Sequence, residues 1–348
     1  MSGVAQGDPR LLCFFLTTVR LRYHFGFRYH SPKNTIVGGF APSTPQQSKM
    51  EQAKRKTKRF IRNSDAVGFE FNPKLDPQII KLVYDYRFAN SEQIAVGLGR
   101  SNQVVLRRLQ KLFHWGYLDR IDPREKRKDR SEKYAYALWQ EGVTVLVNHC
   151  GIDRAKIRWE RERNEVKNFF LRHTLMVSQF RACLTAALRE HPEAKLIFWI
   201  REDPQELRDS VYFRDGFQKK KLPIVPDGYF GMEYPEGKMY FFLEADRSTT
   251  TDARFLNKMK AYWLWYKQGG QTRKFHINSF RVFTITETSQ RMSNLLRMSQ
   301  KADDRQTGAY MFWFTTEDSF NLENPQSILE PIWKTNVIGD EKLHSILE

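Results

Sequence analysis

The chain has 348 residues, 41% of them hydrophobic, and a formal net charge of +17. This length favours two domains, and the charge excess favours nucleic acid, rather than an anionic membrane surface, as the partner. A membrane-spanning protein is disfavoured, because no apolar run approaches the ~20 residues of a membrane-spanning helix. A disulfide framework and a cysteine-based zinc site are also disfavoured, because the three distant cysteines form no CxxC pair.

Residues 1–49 show no clean period, and we expect a poorly ordered extension or a wrongly assigned start, since Met50 opens a segment like a natural N-terminus. Residues 50–75 form a basic arm, in which Lys and Arg are concentrated at 53–62. Such a block is either a solvated tail or an arm that contacts the DNA backbone. The cysteine usage fits a reducing cytoplasm.

Residues 76–150 have the pattern of a winged helix-turn-helix domain. Three short helices are expected, the second capped by Ser91 and the third by Ser101. Strands are expected at 117–121 and 133–139, and the basic loop between them would be the wing.

The third helix is predicted to have an apolar and a polar face. The inward residues are Val104, Val105, Leu109, Leu112 and Phe113. The residues expected to bind DNA are Asn102, Gln103, Arg107, Arg108 and Lys111 on the helix, with Lys126, Arg127, Lys128 and Arg130 in the wing. Asn, Gln and Arg suit base edges in the major groove. Winged helices also bind proteins, but the net charge favours DNA.

The pattern of residues 160–316 predicts a mixed α/β domain. Residues 317–348 are expected to form a C-terminal tail. The expected elements are a helix at 169–189, strands at 196–200, 223–234 and 238–245, a helix at 253–266, a strand at 280–286, a helix at 287–298 and a strand at 309–315. The runs FFL and FWF are typical of strands that are covered on both faces.

Acidic side chains lie on two of these strands. Asp227 is on one, and Glu244 and Asp246, two residues apart on the next, point to the same face. Together they are a plausible oxygen cage for a hard divalent ion. The alternatives are an Asp-Gly turn at Asp227, an ion pair between Glu244 and Arg247, and a turn cap at Asp246. His173, on the long helix, is expected to be a hydrogen-bonded core or interface histidine.

This order of elements, with Pro226-Asp227 on the second strand and Glu244 on the third, resembles the PD-(D/E)xK nuclease fold. The lysine of that motif would stand at position 246, where this chain has Asp246, and Lys258 on the following helix is the replacement candidate. With the upstream winged helix and the phrases LQKLFHWGYLDR and LRHTL, residues 75–335 resemble the plasmid replication-relaxation family, which includes MOB-C class mobilisation relaxases.

The resemblance implies an α+β protein in which a winged helix-turn-helix precedes a restriction-endonuclease-like α/β domain with a mixed central sheet. It implies nicking of double-stranded DNA at a plasmid transfer or replication origin. Other mobilisation proteins would be further partners. Asp227, Glu244, Asp246 and Lys258 would be catalytic, and the three acids would hold Mg²⁺ or Mn²⁺. The eight histidines show no HxH, HxxxH or HExxH spacing, which agrees with a nuclease-like metal site.

The second hypothesis is a non-catalytic replication or mobilisation regulator that binds DNA on a degenerate nuclease fold. Asp246 at the position of the lysine favours this reading, whereas Asp227, Glu244 and Lys258 favour the enzyme. The oligomeric state stays open.

Overall fold

The computed structural model describes residues 60–63, 68–123, 133–201, 206–248 and 250–348. The predictions for residues 1–49, for most of the arm at 50–75 and for the wing residues Lys126, Arg127, Lys128 and Arg130 lie outside these ranges. The described residues form an α+β structure whose largest sheet mixes parallel and antiparallel strands. In these ranges no helix combines the length and apolar character needed to cross a membrane.

Residues 68–148, here termed the helical part, contain four helices and a small sheet. The helices are α1 (Asp76–Tyr86), α2 (Ser91–Leu98), α3 (Asn102–His114) and α4 (Gln140–Asn148), and the strands are β1 (Ala89–Asn90), β2 (Leu118–Ile121) and β3 (Ala135–Leu138). The strands are antiparallel in the order β1-β3-β2. The three predicted helices and both predicted strands are present within a few residues of the expected bounds.

The helix caps follow local chemistry, with one correction. Ser101 caps α3 as predicted, since its hydroxyl accepts the Val104 N–H. The cap of α2 is Asn90, and not Ser91, because Asn90 forms a capping box with Gln93. Gly99 ends α2 in the left-handed conformation that glycine adopts without steric cost.

The inward face of α3 is narrower than predicted. Val105, Leu109, Leu112 and Phe113 are buried, but Val104 is 41% exposed. Val104 lies about 100° around the helix from Val105 and about 140° from Leu109, so it falls outside the buried stripe. The apolar side chain of Val104 is therefore partly exposed to solvent.

Residues 168–348, here termed the α/β part, surround a six-stranded sheet. The strands are β4 (Lys195–Arg201), β7 (Gly228–Tyr234), β8 (Gly237–Asp246), β9 (Arg281–Thr286), β10 (Phe312–Thr316) and β11 (Lys334–Thr335), in the order β11-β10-β9-β8-β7-β4. The β8, β9 and β10 strands are parallel, and the other neighbours are antiparallel. The helices are α5 (Asn168–Arg189), α6 (Asp252–Lys267), α7 (Gly270–Phe275) and α8 (Ser289–Ser299).

The segment predicted as one strand at 223–234 is two strands. Its first residues belong to β6 (Gln218–Ile224), which pairs with β5 (Asp209–Asp215) in a separate two-stranded sheet. The main sheet resumes only at β7. Pro226 lies in the break and has no N–H to give to a sheet ladder, which explains the interruption. Asp227 is therefore next to a break in the strand and not within a strand.

Both faces of the main sheet are covered, as the apolar runs predicted. One face packs under α5, with a core that includes Phe180, Phe230, Phe241, Phe283 and Trp333. The other packs under α6 and α8, with a core that includes Phe242, Tyr262, Trp265, Phe280 and Phe314. Residues 317–348, for which a tail was expected, add β11 and bury Ile328, Trp333 and Ile346 against the first face.

The two parts share a hydrogen-bonded junction between α2 and α5. The Gln93 side chain donates to the Leu175 carbonyl at 2.9 Å, and the Ser178 hydroxyl donates to the Phe88 carbonyl at 2.6 Å. Arg189 donates to the Gly97 carbonyl at 2.7 Å. Because these bonds join side chains directly to backbone carbonyls, they fix α2 in position relative to α5.

Candidate functional site

Asp227 is attached to β8 by two backbone bonds. Its own N–H donates to the Leu243 carbonyl at 2.9 Å, and its Oδ2 accepts the Ala245 N–H at 2.7 Å. Since Glu244 stands between these two β8 residues, the strand break brings Asp227 beside the predicted second acid of the motif. Gly228 is the first paired residue of β7, so the backbone bonds to β8 position the Asp227 carboxylate.

His173 on α5 contacts the same carboxylate. Its Nε2 lies 3.1 Å from Asp227 Oδ1. Burial alone would raise the pKa of Asp227, but His173, then Lys258 and the Ala245 N–H, outweigh it and hold this pKa below its ordinary value. The sequence predicted a hydrogen-bonded histidine but not its partner, since contact between α5 and the strand break depends on the tertiary fold.

Glu244 is buried on the face of β8 that packs against α6. Its Oε2 accepts from Lys258 Nζ, and its Oε1 accepts from the Tyr262 hydroxyl at 2.6 Å. Burial raises the pKa of Glu244 to about 7, against the opposing effect of Lys258. Burial would lower the pKa of Lys258, but the charges of Glu244 and Asp227 outweigh it and raise that pKa.

Lys258 therefore lies within the field of both acids, as the replacement for the missing motif lysine should. Its side chain is 34% exposed while that of Glu244 is 3% exposed, so the pair opens to solvent on the lysine side. The alternative partner of Glu244, Arg247, instead forms an ion pair with Glu287 at 2.6 Å.

Asp246 has a different environment from Glu244. Arg291 Nε donates to its Oδ1 at 2.8 Å and Arg291 NH2 to its Oδ2 at 3.2 Å. The Ser248 N–H also donates to Oδ1 at 2.9 Å, which is the turn-capping role that was the alternative for Asp246. Arg291 is anchored further by Asp252 at 2.9 Å. Sequence reasoning missed Arg291, which lies 45 residues beyond Asp246.

The acceptor capacity of the three acids decides how well each fits a divalent ion. A carboxylate offers about four lone-pair sites. Asp227 and Glu244 each use two of them within the protein, whereas Asp246 uses three, all within the turn and the Arg291 contact. Asp227 and Glu244 thus fit a two-carboxylate magnesium site completed by water or substrate phosphate. Among the described residues no group of three or more His, Cys, Asp or Glu is arranged to hold a metal ion.

A small cavity of about 30 Å³ lies beside Asp227. Arg87, from the end of α1, and Arg201, from the end of β4, line it together with His173. The volume is roughly that of one water molecule in the liquid. The cavity therefore brings arginines from both parts of the molecule to the Asp227 side of the site.

The predicted DNA-binding residues of α3 divide into two groups. Gln103 and Arg107 are exposed, and Asn102 and Lys111 are partly exposed. Arg108 differs from the prediction, because its Nε donates to buried Asp76 at 2.8 Å and its NH2 to the Glu70 carbonyl at 2.9 Å. A buried carboxylate needs a cation, so α1 draws Arg108 inward.

Residues 80–278 match the family model of replication-relaxation proteins. This span is more than half of the chain, and it contains α3, Asp227, Glu244 and Lys258. The chain therefore belongs to the replication-relaxation family, and the resemblance predicted from the sequence is confirmed. No curated protein and no solved structure matches it.

Proposed function

We propose that this protein binds duplex DNA at a plasmid transfer or replication origin and nicks one strand at a centre formed by Asp227, Glu244 and Lys258. The observation that carries the proposal is the meeting of these three side chains at the β7 break, β8 and α6. The order α5, β4, β7, β8, α6, β9, with β4-β7-β8 antiparallel and β8-β9 parallel, agrees with what the resemblance to the PD-(D/E)xK nuclease fold implies and supports the proposal.

The helical part supports DNA binding. Its three helices and three antiparallel strands agree with the winged helix-turn-helix that the sequence predicts, in which α3 would be the recognition helix. Gln103 and Arg107 are exposed there, and these residue types pair with adenine and guanine edges. The net charge of +17 supplies the attraction to phosphates. Other mobilisation proteins are the further partners expected.

The side chains of the centre have distinct roles in the proposal. When bound, a Mg²⁺ or Mn²⁺ ion held by Asp227 and Glu244 would activate water and stabilise charge on the scissile phosphate. Lys258 compensates the charge of Glu244, and its partly exposed side chain (34%) would face the phosphate. Tyr262 and His173 orient Glu244 and Asp227 through the contacts described.

The second candidate, a non-catalytic DNA-binding regulator, is favoured by one observation. The position of the motif lysine is taken by Asp246, which is held by Arg291 and turned to a structural use. In that case the Glu244–Lys258 pair would serve only the fold. The two candidates share DNA binding and differ in strand cleavage.

The test is relaxation of a supercoiled plasmid carrying the transfer origin, with Mg²⁺, Mn²⁺ or a chelator. Wild type is compared with Asp227→Asn, Glu244→Gln and the exposed control Glu233→Gln. The proposal expects metal-dependent open circles from wild type and the control, and retarded but intact plasmid from the two site variants. Retarded, uncut plasmid in every lane would establish the regulator instead.

A further inference from the structure

The β5–β6 ribbon (residues 209–224) stands apart from the main sheet. It is inserted between β4 and β7 of the α/β part, and its seven-residue strands pair from Asp209↔Ile224 to Asp215↔Gln218. No residue in it was predicted to bind DNA. Its base is part of the fold, since Val211 and Ile224 are buried in the core under α6.

Two hydrogen bonds from α6 and the residue after it hold the base of the ribbon. Trp265 Nε1 donates to Asp209 Oδ2 at 2.8 Å, and the Gln268 side chain donates to the Tyr212 carbonyl at 2.9 Å. At about 3.3 Å per residue, seven residues extend roughly 23 Å. The ribbon is thus a projecting element with a rigid base.

One face of the projecting half is cationic. The pairs Tyr212↔Lys221 and Arg214↔Lys219 lie on this face, since alternate residues of a strand point the same way. Lys219 Nζ is 4.5 Å from the centre of the Tyr212 ring. All four side chains are exposed, so three positive charges and an aromatic ring line one side of the ribbon.

An unsupported aromatic residue occupies the tip. Phe217 is fully exposed, in the turn where Gly216 has a φ of 60°. A fully exposed phenyl ring forgoes the free energy that its burial would supply, so the fold itself gains nothing from Phe217. Proteins that bind the minor groove through Arg and Lys frequently insert an apolar side chain such as Phe between base steps as a wedge.

We propose that the β5–β6 ribbon is a DNA-opening wedge, in which Lys219, Lys221 and Arg214 bind backbone phosphates and Phe217 inserts between bases. The inference rests on the proposed function, because it assigns DNA as the substrate of the neighbouring site. Ile224 is only three residues before Asp227. Three residues span at most about 11 Å, so the base of the ribbon adjoins the proposed cleavage centre.

The chemistry of the ribbon favours DNA over a membrane surface. Its cations form a row along one face, which suits the regular phosphates of a strand. A single phenyl ring buries little apolar area, and stable membrane anchoring takes a larger apolar face or two signals. Partial unstacking by Phe217 would kink the duplex and expose a strand to the centre at Asp227.

The test uses the full chain in a chelator, so that cleavage does not enter. A random-sequence duplex carries 2-aminopurine, whose fluorescence rises when it is unstacked, and binding is titrated over a range of salt. The variants are Phe217→Ala, Phe217→Trp and Lys219→Gln/Lys221→Gln. The matched controls are Ile338→Ala, another exposed apolar residue, and Lys238→Gln, on the turn side of the β7–β8 hairpin.

We expect Lys219→Gln/Lys221→Gln to reduce the slope of log affinity against log salt by about 2, one unit per lost phosphate contact. Phe217→Ala should abolish the fluorescence rise and weaken binding about 5- to 100-fold at an unchanged salt slope, as loss of one stacking contact does. Phe217→Trp, which keeps an aromatic ring at the tip, should retain the fluorescence rise and the wild-type affinity. The two controls should behave as wild type, and circular dichroism should be the same for all.

The outcomes separate the two proposals. Wild-type binding that no ribbon variant alters would overturn the wedge and leave the proposed function standing. A normal fluorescence rise in a protein that never nicks would support the wedge and count against the nuclease. Unchanged DNA binding, with Phe217-dependent sedimentation on phosphatidylserine vesicles, would overturn the wedge in favour of a membrane contact.

Discussion

Asp76 in the helical part and Glu244 in the α/β part are both buried carboxylates paired with a basic side chain, yet their environments differ. Asp76 is 0% exposed and accepts from the Asn72 N–H and from Arg108 at both oxygens. Among the described residues Glu244 accepts only from Lys258 and Tyr262, and burial raises its pKa to about 7. The first pair fastens α1 to α3, and the second keeps acceptor sites and a perturbed pKa, as functional carboxylates do.

The largest effect should follow from breaking the pair in the helical part. Asp76→Asn leaves the Arg108 guanidinium without its counterion, so we expect the free energy of unfolding to fall by about 3–5 kcal/mol. Urea denaturation followed by circular dichroism measures it. Asp85→Asn, which removes an exposed pair with Lys81 four residues away, is the control and should cost about 0.5 kcal/mol.

Replacing both members of the Asp76–Arg108 pair by apolar residues tests whether the unpaired charge causes that loss of stability. Asp76→Leu with Arg108→Met removes both charges, and buried pairs replaced in this way lose little stability or gain some. We therefore expect the double variant to be more stable than Asp76→Asn. Equal losses in both would show that the lost hydrogen bonds of the Asp76 carboxylate, and not the uncompensated charge of Arg108, carry the stability.

The next largest effect concerns the neighbouring acids of β8. Glu244→Gln should lower the nicking rate by about 100-fold or more, the usual cost of losing a group that stabilises transition-state charge. Asp246→Asn should stay within several-fold of wild type, because Arg291 and the turn already occupy Asp246. The measurement is the rate of open-circle formation. An equal loss in both variants would return Asp246 to the set of metal ligands.

Local sequence was enough to predict the elements that have local causes. Ser101 caps α3 as predicted, because its hydroxyl lies within reach of the Val104 N–H three residues on. The two strands of the β7–β8 hairpin also follow from the turn at 234–237. These features depend on a few adjacent residues, which a single sequence displays.

The rest depends on contacts across the fold. Arg108 turns inward because Asp76, 32 residues away, is buried and needs a cation. His173 meets Asp227 only because α5 crosses the strand break, and Arg291 meets Asp246 across 45 residues. Within the candidate site, the sequence predicted the acids and Lys258 by motif, but not which acid would be bound by its own arginine.

The pH dependence of stability tests the Glu244–Lys258 pair. The folded-state pKa of Glu244 is raised from 4.5 to about 7, so its contribution to stability is full below pH 4.5 and is lost as pH rises through 7. Glu244→Gln lacks this titration. The unfolding free energy of wild type relative to this variant should therefore fall across that window, by up to about 3 kcal/mol at 1.36 kcal/mol per pKa unit.

Urea denaturation at several pH values on both sides of the window measures this difference. The raised pKa of Lys258 and the lowered pKa of Asp227 place their own titrations above and below it. The exposed Glu233→Gln variant should follow wild type at every pH. A difference that rises with pH would mean that Lys258 holds Glu244 ionised in the fold, contrary to the dominance of burial.

The smallest effect on stability should come from Arg107, the exposed neighbour of Arg108 on α3. Arg107→Gln removes no contact within the protein that the described structure shows, so the free energy of unfolding should change by less than about 0.5 kcal/mol. If α3 binds DNA, the same change should reduce the salt slope of binding by about 1 or relax the base preference at one position. Arg108→Gln should do the reverse, lowering stability while it affects DNA binding only through the fold. The measurement is titration of labelled origin DNA with both variants at matched folded concentrations. If α3 binds protein instead of DNA, Arg107→Gln will leave the DNA affinity unchanged at every salt concentration.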